Sequence, residues 1–375
     1  MRHRVLLLAV APAIAFTVTA ATAIEDDPLF RVVNIENSTG LEVGRGFDIL
    51  TGNPRADCVD RSVVESHSDL GPSSVTFRAS RVENSEQLDR SLNISASASA
   101  SFGGFGANAS ASYGNTLSVS SFDLTYVVEV KVTSRGASIR DVALKDQFAK
   151  LIANGQQASL DRFRAVCGDG FVGEFTVGGE LRSIIKVHTR SKAETEAVSA
   201  SLGASFSMIS GSASLSTTLK KIATTNQVDI WTFQKGGSGP LAMTPDELAT
   251  KAAAIPDNVK AAPSPVEAAI FSYITVLNDP TLPLADFSAR EKNIMRLGRL
   301  AQTARDQFAD ARYIFDHMDE FFSRPNDIPD LAAEMNALEA FRKQILEAAD
   351  ACAAANGVCK TDFTVPAPIA RPARR

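Results

Sequence analysis

The sequence predicts an α+β protein, in which strands and short helical stretches are followed by a helical C-terminal part. Three observations predict it. Runs rich in β-branched and aromatic residues occur at 122–133, 171–189 and 227–234. Two segments without Asp, Glu, Lys or Arg, 92–122 and 197–219, alternate serine with alanine, and each adjoins one of those strands. From 287 to 349 apolar residues return every three or four positions, the spacing of amphipathic helices.

In chain order, residues 1–23 have a basic start (Arg2, His3, Arg4), an apolar run over 5–18 and the small-x-small pattern Ala21-Thr22-Ala23, and read as a secretory signal peptide. No later stretch offers about 18 uninterrupted apolar residues, so the mature chain is expected to be made as a soluble protein. Residues 28–81 mix short apolar runs with turn pairs such as Asn53-Pro54 and Gly71-Pro72, which predicts irregular structure with short strands. After the strand at 122–133, the spacing of Val142, Leu144, Phe148, Leu151 and Ile152 predicts a helix over 139–153, with another over 156–166. Residues 171–189 (FVGEFTVGGELRSIIKVHT) return to strand. The order is uncharged segment, strand, helices, strand, uncharged segment, strand, a duplicated arrangement with little shared sequence. Short helices opened by proline are expected at 245–254 and 265–277. Ile294, Leu297, Leu300, Ala304, Phe308, Ala311, Phe315, Met318 and Phe322 mark a long helix. Pro325 and Pro329 interrupt it, and Leu331, Met335, Leu338, Phe341, Ile345 and Ala349 mark a second, giving an antiparallel helical hairpin over 285–360 appended to a main domain at 24–284. Residues 361–375, rich in proline and arginine, are expected to be a disordered tail.

In a strand, residue parity reports the face. Leu92, Ile94, Ala96, Ala98, Ala100 and Phe102 are even, with serines and Asn93 between them; after Gly103-Gly104 the apolar set becomes odd, at Phe105, Ala107, Ala109, Ala111, Tyr113, Leu117 and Val119. A two-residue turn produces that reversal, and Gly-Gly suits it. The second segment repeats the device. Val198, Ala200, Leu202, Ala204, Phe206 and Met208 are even, Ile209, Ala213, Leu215 and Leu219 are odd, and the phase flips near Met208-Ile209. Each arm is about ten residues, the length of a membrane-crossing strand, and a lipid-facing Arg or Lys at the bilayer midplane costs about 2–4 kcal/mol. Flexible linkers, an ordinary half-buried hairpin and Ala-rich helices packed on a sheet are the competing readings. A soluble precursor must hide these faces, and weak helices folded against the sheet are the expected way of doing so.

A formal charge of −5 and a pI near 5.5 give no general basic field, which argues against nucleic acid as the main partner. The run Gly168-Asp169-Gly170-Phe171-Val172-Gly173 satisfies G-x-G-x-x-G formally, but a helix precedes it and a strand follows, the reverse of a dinucleotide site. His67, His188 and His317 lie far apart without metal-ligand spacing, Cys352 and Cys359 have no nearby histidine, and neither G-x-S-x-G nor a P-loop occurs. The expectation is a protein that is not an enzyme and uses no cofactor or metal. Cys58, Cys167, Cys352 and Cys359 allow three pairings in an exported chain. Closeness in sequence favours Cys352 with Cys359, and Cys58 and Cys167 each lie beside a motif of the main domain; reduced, buried thiols are the alternative. Asn37, Asn93 and Asn108 open N-x-S/T triplets, which matter only in a eukaryotic secretory host.

Two glycine-rich runs carry a resemblance. Residues 40–58 (GLEVGRGFDILTGNPRADC) resemble the glycine-aromatic-Asp motif near the start of the membrane-attack-complex/perforin (MACPF) and cholesterol-dependent cytolysin domain. Residues 168–181 (GDGFVGEFTVGGEL) are similar to its signature, with Gly170 where a histidine is common. The resemblance spans about 30–280. It implies a bent, twisted antiparallel sheet of four long strands flanked by two helical clusters, which unfurl into hairpins after oligomerisation on a membrane. Ile94, Phe102, Phe105, Tyr113, Leu117, Val119, Val198, Leu202, Phe206, Met208, Ile209 and Leu215 are then the candidate membrane-inserting residues, and Gly178 and Gly179 the candidate hinge. The implied function is a secreted pore-former acting at a target-cell membrane, with membrane lipid or a membrane receptor and further copies of itself as partners. The alternative is a non-lytic secreted or surface-attached binding or adhesion protein with the same fold.

Overall fold

The structure, a computed structural model, describes residues 30–35, 40–49, 52–66, 74–92, 94, 117, 119–153, 155–207, 212–238, 241, 244–277, 287–324, 328–354, 359–368 and 370–373. Five short strands, β1 (Phe30–Asn34), β2 (Arg45–Asp48), β3 (Asn53–Asp57), β4 (Val59–Ser66) and β5 (Ser74–Val82), precede two long ones, β6 (Asp123–Leu144) and β7 (Gly170–His188). β8 (Val228–Lys235) and β9 (Ser264–Ser272) complete one open sheet.

The two long strands pair antiparallel with each other and form the spine. Each carries two shorter strands end to end on its outer edge. β5 pairs with the first half of β6 and β4 with the second; β9 pairs with the first half of β7 and β8 with the second. The order across one half of the sheet is therefore β5-β6-β7-β8, every neighbour antiparallel and consecutive in sequence. The other half, β4-β6-β7-β9, is extended by β1 on β9 and by the β2–β3 hairpin. Between the halves β6 shifts register from Arg135 to Ser138, and β9 shifts against β7 at Thr176 and Val177. Such irregularities bend and twist strands. The architecture is an open, antiparallel α+β sheet flanked by helices, four strands wide across its β5-β6-β7-β8 half, as the resemblance implies.

The two faces of the β5-β6-β7-β8 half are covered differently. Leu124, Tyr126, Val128, Val130 and Val132 of β6 alternate to one face, as a period of two requires, and form a core with Leu181, Ile185 and Val187. Val127 and Ile184 point the other way, towards Val82, Leu88 and Trp231. The second half has its own core, which packs α2 (Asp146–Ile152) and α3 (Gln157–Cys167) and contains the Cys58–Cys167 disulfide. Among the described residues the first helix, α1 (Ser85–Ser91), starts at Asn84, whose side chain accepts from the Gln87 N–H.

Two stretches expected to be helical are strand. Residues 139–144 continue β6 rather than starting a helix, because Ile139 and Val142 take part in the ladder with β4; helix begins only at Asp146. Residues 264–272 form β9, not a proline-opened helix. Val266, Ala268 and Ile270 are its buried positions, a period of two that the run of alanines disguises, and a single 3-10 turn (Tyr273–Val276) follows. Both short runs are ambiguous by periodicity, and partner strands far away in sequence decide them.

After α4 (Lys192–Ser207), α5 (Ser212–Ala223) and α6 (Pro245–Ala261), the C-terminal part is the expected helical pair, α7 (Phe287–Asp316) and α9 (Leu331–Ala354), with the single-turn α8 (Met318–Phe321) between. Ile294, Leu297, Ala301 and Ala304 pack against Leu338, Phe341, Ile345 and Ala349, and Cys352 bonds to Cys359. The described part of 361–375 has no regular structure, yet it is docked. Phe363 and Val365 lie against the helical core, and Arg371 reaches Glu334, Asp310 and the Gln307 carbonyl oxygen. The proline content that suggested disorder here produces an extended strap held by side chains. Residues 1–23, including the expected signal peptide, lie outside the described residues, as do Asn37, Asn93 and Asn108.

Candidate membrane-inserting segments

The described residues of the second uncharged segment, 197–207 and 212–219, are helical. α4 and α5 fold back on one another, with the Ser205 and Thr218 hydroxyls 2.6 Å apart, and with α6 they cover the even-numbered face of β6. Val198, Leu202, Phe206, Leu215 and Leu219 are buried there, Leu202 and Leu219 completely. Fully burying such a side chain contributes about 1.5–3 kcal/mol, so the five together hold the segment by on the order of 10 kcal/mol. Their spacing explains how one sequence serves two conformations. A step of four places 198, 202 and 206 on one face of a helix and also on one face of a strand. The residues that separate the two states are Ala200 and Ala204, on the apolar side of a strand but exposed on this helix. Being small, they cost little when exposed.

Four of the described serines have partners in this folded state. Ser201 and Ser205 donate to the carbonyls four residues earlier, Ser199 bonds the Tyr126 hydroxyl at 2.9 Å, and Ser216 bonds Asp246. Lys220, at the charged end of the segment, pairs with Asp246 at 2.6 Å. At the other end Glu194 accepts from the Arg190 N–H and from Asn226, and these bonds hold its carboxyl below the ordinary range. Asn226 also donates to the His188 carbonyl, tying the end of β7 to the start of β8. Gly203 stands in mid-helix with open space around it. Met208 and Ile209, the proposed tip, lie outside the described residues.

Of the first segment the structure describes the two roots. Leu92, Ile94 and Val119 are buried and Leu117 is half-buried, all on the opposite face of the sheet from α4 and α5. Phe102, Phe105 and Tyr113 lie outside the described residues. Beneath the first root is a buried ion cluster. Arg182 is paired with Glu180 at 2.7 Å and Glu129 at 3.2 Å and donates to the Leu92 carbonyl at 2.8 Å.

Both roots are also gripped by α7. Arg305 pairs with Asp89 of α1 at 2.6 Å, with both side chains buried, and donates to the Ser85 hydroxyl; Gln302 donates to the same Asp89. One turn further along, Asp310 accepts from the Ser120 hydroxyl and from the Ser121 N–H and hydroxyl. Phe122 then packs between Tyr313 and Phe321. The appended helices thus hold the base of the first segment, a role that no local sequence signal announces.

Gly178 and Gly179 lie where β7 changes its outer partner from β9 to β8. A Cβ on Gly178 would stand 1.9 Å from the Val132 carbonyl oxygen, and one on Gly179 would meet Val259 and the Lys235 carbonyl. Only glycine allows that approach. The two glycine-rich motifs meet at the far end of the sheet: a Cβ on Gly46 would lie 2.1 Å from the Cys167 carbonyl oxygen, Gly168 (φ +82°) crowds Phe47, and the Cys58–Cys167 bond joins the two runs. Inside the second motif Asp169 accepts from Arg164 and from the Ile49 N–H, and burial raises its carboxyl to about 6.

Four strand ends therefore line one edge: Val82 of β5, Asp123 of β6, His188 of β7 and Val228 of β8, each paired with or close to the next. The first segment connects β5 to β6 by way of α1, and the second connects β7 to β8. At the same edge the structure joins two histidines that the sequence kept apart, His188 and His317, whose rings stack 4.8 Å apart. Among the described residues, no helix is long and apolar enough to cross a membrane.

No protein-family model and no curated protein matches the sequence. Among solved structures, the chain is similar to stonustoxin (TM-score 0.48, 11% identity, covering 87% of this chain and 43% of that one). It is similar to GNIP1Aa from Chromobacterium piscinae (TM-score 0.35, 11% identity, 67% and 54%). It is also similar to a cell invasion protein with a MAC/Perforin domain from Bacteroides thetaiotaomicron (TM-score 0.27, 10% identity, 78% and 65%). The chain spans between 43% and 65% of the length of these structures.

Proposed function

We propose that this chain is a secreted, non-enzymatic pore-forming protein that assembles with further copies on a target membrane, each subunit inserting two amphipathic hairpins into a shared barrel. The observation that carries this reading is the placement of the two uncharged segments. They arise at one edge of the sheet, between antiparallel strands that are consecutive across it. Converting each segment to strand lengthens β5 and β6, and β7 and β8, into a contiguous four-stranded ribbon. The lipid-facing apolar side chains then exchange burial against the sheet for burial in hydrocarbon, and charge-free arms avoid the cost of taking an ion there. Closure with neighbouring subunits satisfies the ribbon's outer edges, which lipid cannot do. Gly178 and Gly179 serve as the hinge of the sheet, and Arg305 and Asp310 of α7 must release the first segment before it extends.

The test is a lock on the second segment. Ser205→Cys with Thr218→Cys places two thiols where hydroxyls now lie 2.6 Å apart. In a hairpin turning at Met208-Ile209, Ser205 faces Ser212 instead, so the bond is incompatible with the extended form. The oxidised variant is expected to bind liposomes but release no dye, and mild reduction to restore release. Release by the locked protein at the wild-type rate would show that this segment does not insert. A protein that stays monomeric and inert on all membranes tried would favour the non-lytic alternative.

A further inference from the structure

The edge where the segments arise gathers a set of ligand-type side chains. His188 closes β7, while His317 and Glu320 lie at the junction of α7 and α8, and one ligand atom from each of the three falls within 4.8 Å of the others. His188 Nε2 is 3.4 Å from a Glu320 carboxylate oxygen. Two ligand atoms about 2.1 Å from a tetrahedral ion are themselves about 3.4 Å apart. The other ring nitrogens are already engaged. His317 Nδ1 donates to the Tyr313 carbonyl at 2.9 Å, which leaves Nε2 as its lone-pair nitrogen. His188 Nδ1 lies 2.9 Å from the Tyr313 hydroxyl and 3.3 Å from Asp123, and its Nε2 lies 3.4 Å from the same hydroxyl, a contact that an ion would replace. A carbonyl or carboxylate on the second ring nitrogen is the usual support of a metal-binding histidine, because it fixes tautomer and orientation. The neighbouring cations have carboxylates of their own, Lys186 on Asp123 and Arg312 on Asp316. All three candidate ligands are partly exposed, so an ion can reach them.

We infer that His188, His317 and Glu320 bind a divalent transition-metal ion, with Zn2+ the best match. Two imidazoles and one carboxylate suit zinc, with water in the fourth position, whereas calcium and magnesium favour all-oxygen sites. The rings now stack nearly parallel, at 16°, so binding turns the His188 imidazole about its Cβ–Cγ bond and loosens its present Nδ1 contacts, while His317 keeps its bond to the Tyr313 carbonyl. The ion joins the end of β7 to the C-terminal helices. Resting on the pore-forming reading, this makes it a clasp: with the ion bound, α7 stays on the sheet edge and the segments stay folded.

Calorimetric titration of the untagged full chain with Zn2+ tests the site. One ion per chain is expected, with affinity at least tenfold weaker in His317→Ala and Glu320→Gln, while the metal-free variants keep the wild-type circular dichroism and Tm within about 3 °C. Absence of binding, or variants that bind as tightly as wild type, overturns the site. Dye release tests the clasp separately: Zn2+ is expected to suppress release by wild type at least fivefold and to leave His317→Ala unaffected. Zinc binding without suppression overturns the clasp alone, and release by metal-free protein is an independent measure of pore formation.

Discussion

Asp169 shows how a residue in the signature motif is tuned by its surroundings. Burial favours the protonated acid, so its carboxyl moves from the ordinary 3.8 to about 6 despite the Arg164 ion pair. Because the folded-state value is raised, the folded chain binds more protons than the unfolded chain between about pH 4 and pH 6. Asp169 therefore withdraws stability as pH rises through that window, by about 3 kcal/mol in all. Urea midpoints of wild type and Asp169→Asn at pH 4.5 and pH 7 are expected to show wild type gaining relative to the variant at the lower pH. Arg182 works in the opposite sense. Replacing it with methionine removes the buried ion pairs of Arg182 with Glu129 and Glu180 and its bond to the Leu92 carbonyl; a loss of about 3–5 kcal/mol is expected in denaturant melts. Neither role was legible from sequence, because burial and partners come from strands that pair across the sheet. The same holds for His188 and His317, which are brought together only because α7 crosses the end of β7.

Among the elements, the long strands were plain from their β-branched runs, and the C-terminal helices from their spacing. Residues 139–144 and 264–272 are strand where helix is expected, since the few apolar residues in each short run satisfy either period until a partner strand chooses. The uncharged segments are the instructive case. Parity identified their strand faces, while the described state of the second is helical, and the step of four at 198, 202 and 206 reconciles the two. These helices are weak by composition. Gly203→Ala fills open space on α4 and removes the entropy cost of glycine, so it is expected to stabilise the soluble form by about 0.5–1 kcal/mol and to slow dye release. The grip of α7 on α1 acts on the first segment. Arg305→Ala removes the cation that faces the buried Asp89, and is expected to lower the Tm and to loosen the root of the first segment, seen as faster proteolysis within 85–92 and 119–122.

For the whole molecule, the arrangement separates two tasks. One half of the sheet is fixed by the Cys58–Cys167 bond and the glycine contacts between the two motifs; the other carries both segments at its edge, with the C-terminal helices laid across their roots. That disulfide closes a loop of 109 residues, and its removal is expected to cost about 2–5 kcal/mol in an equilibrium melt. The sequence order of segments was enough to suggest the pairing of roles. It did not show that all four roots share one edge, which follows from the consecutive antiparallel order β5-β6-β7-β8.

A change of the second segment from helix to strand on a membrane moves Ala200 and Ala204 more than their apolar neighbours, because among 198–206 these two alone leave the exposed side of the helix for the apolar side of the strand. Single cysteines at 198–206 carrying an environment-sensitive fluorophore can be read in solution and on liposomes. Insertion as a hairpin takes Ala200 and Ala204 from water to lipid, giving apolar environments at every even position and aqueous ones at every odd position. If both alanines remain in water while 198, 202 and 206 stay buried, the segment has kept its helical form and the proposed insertion is wrong.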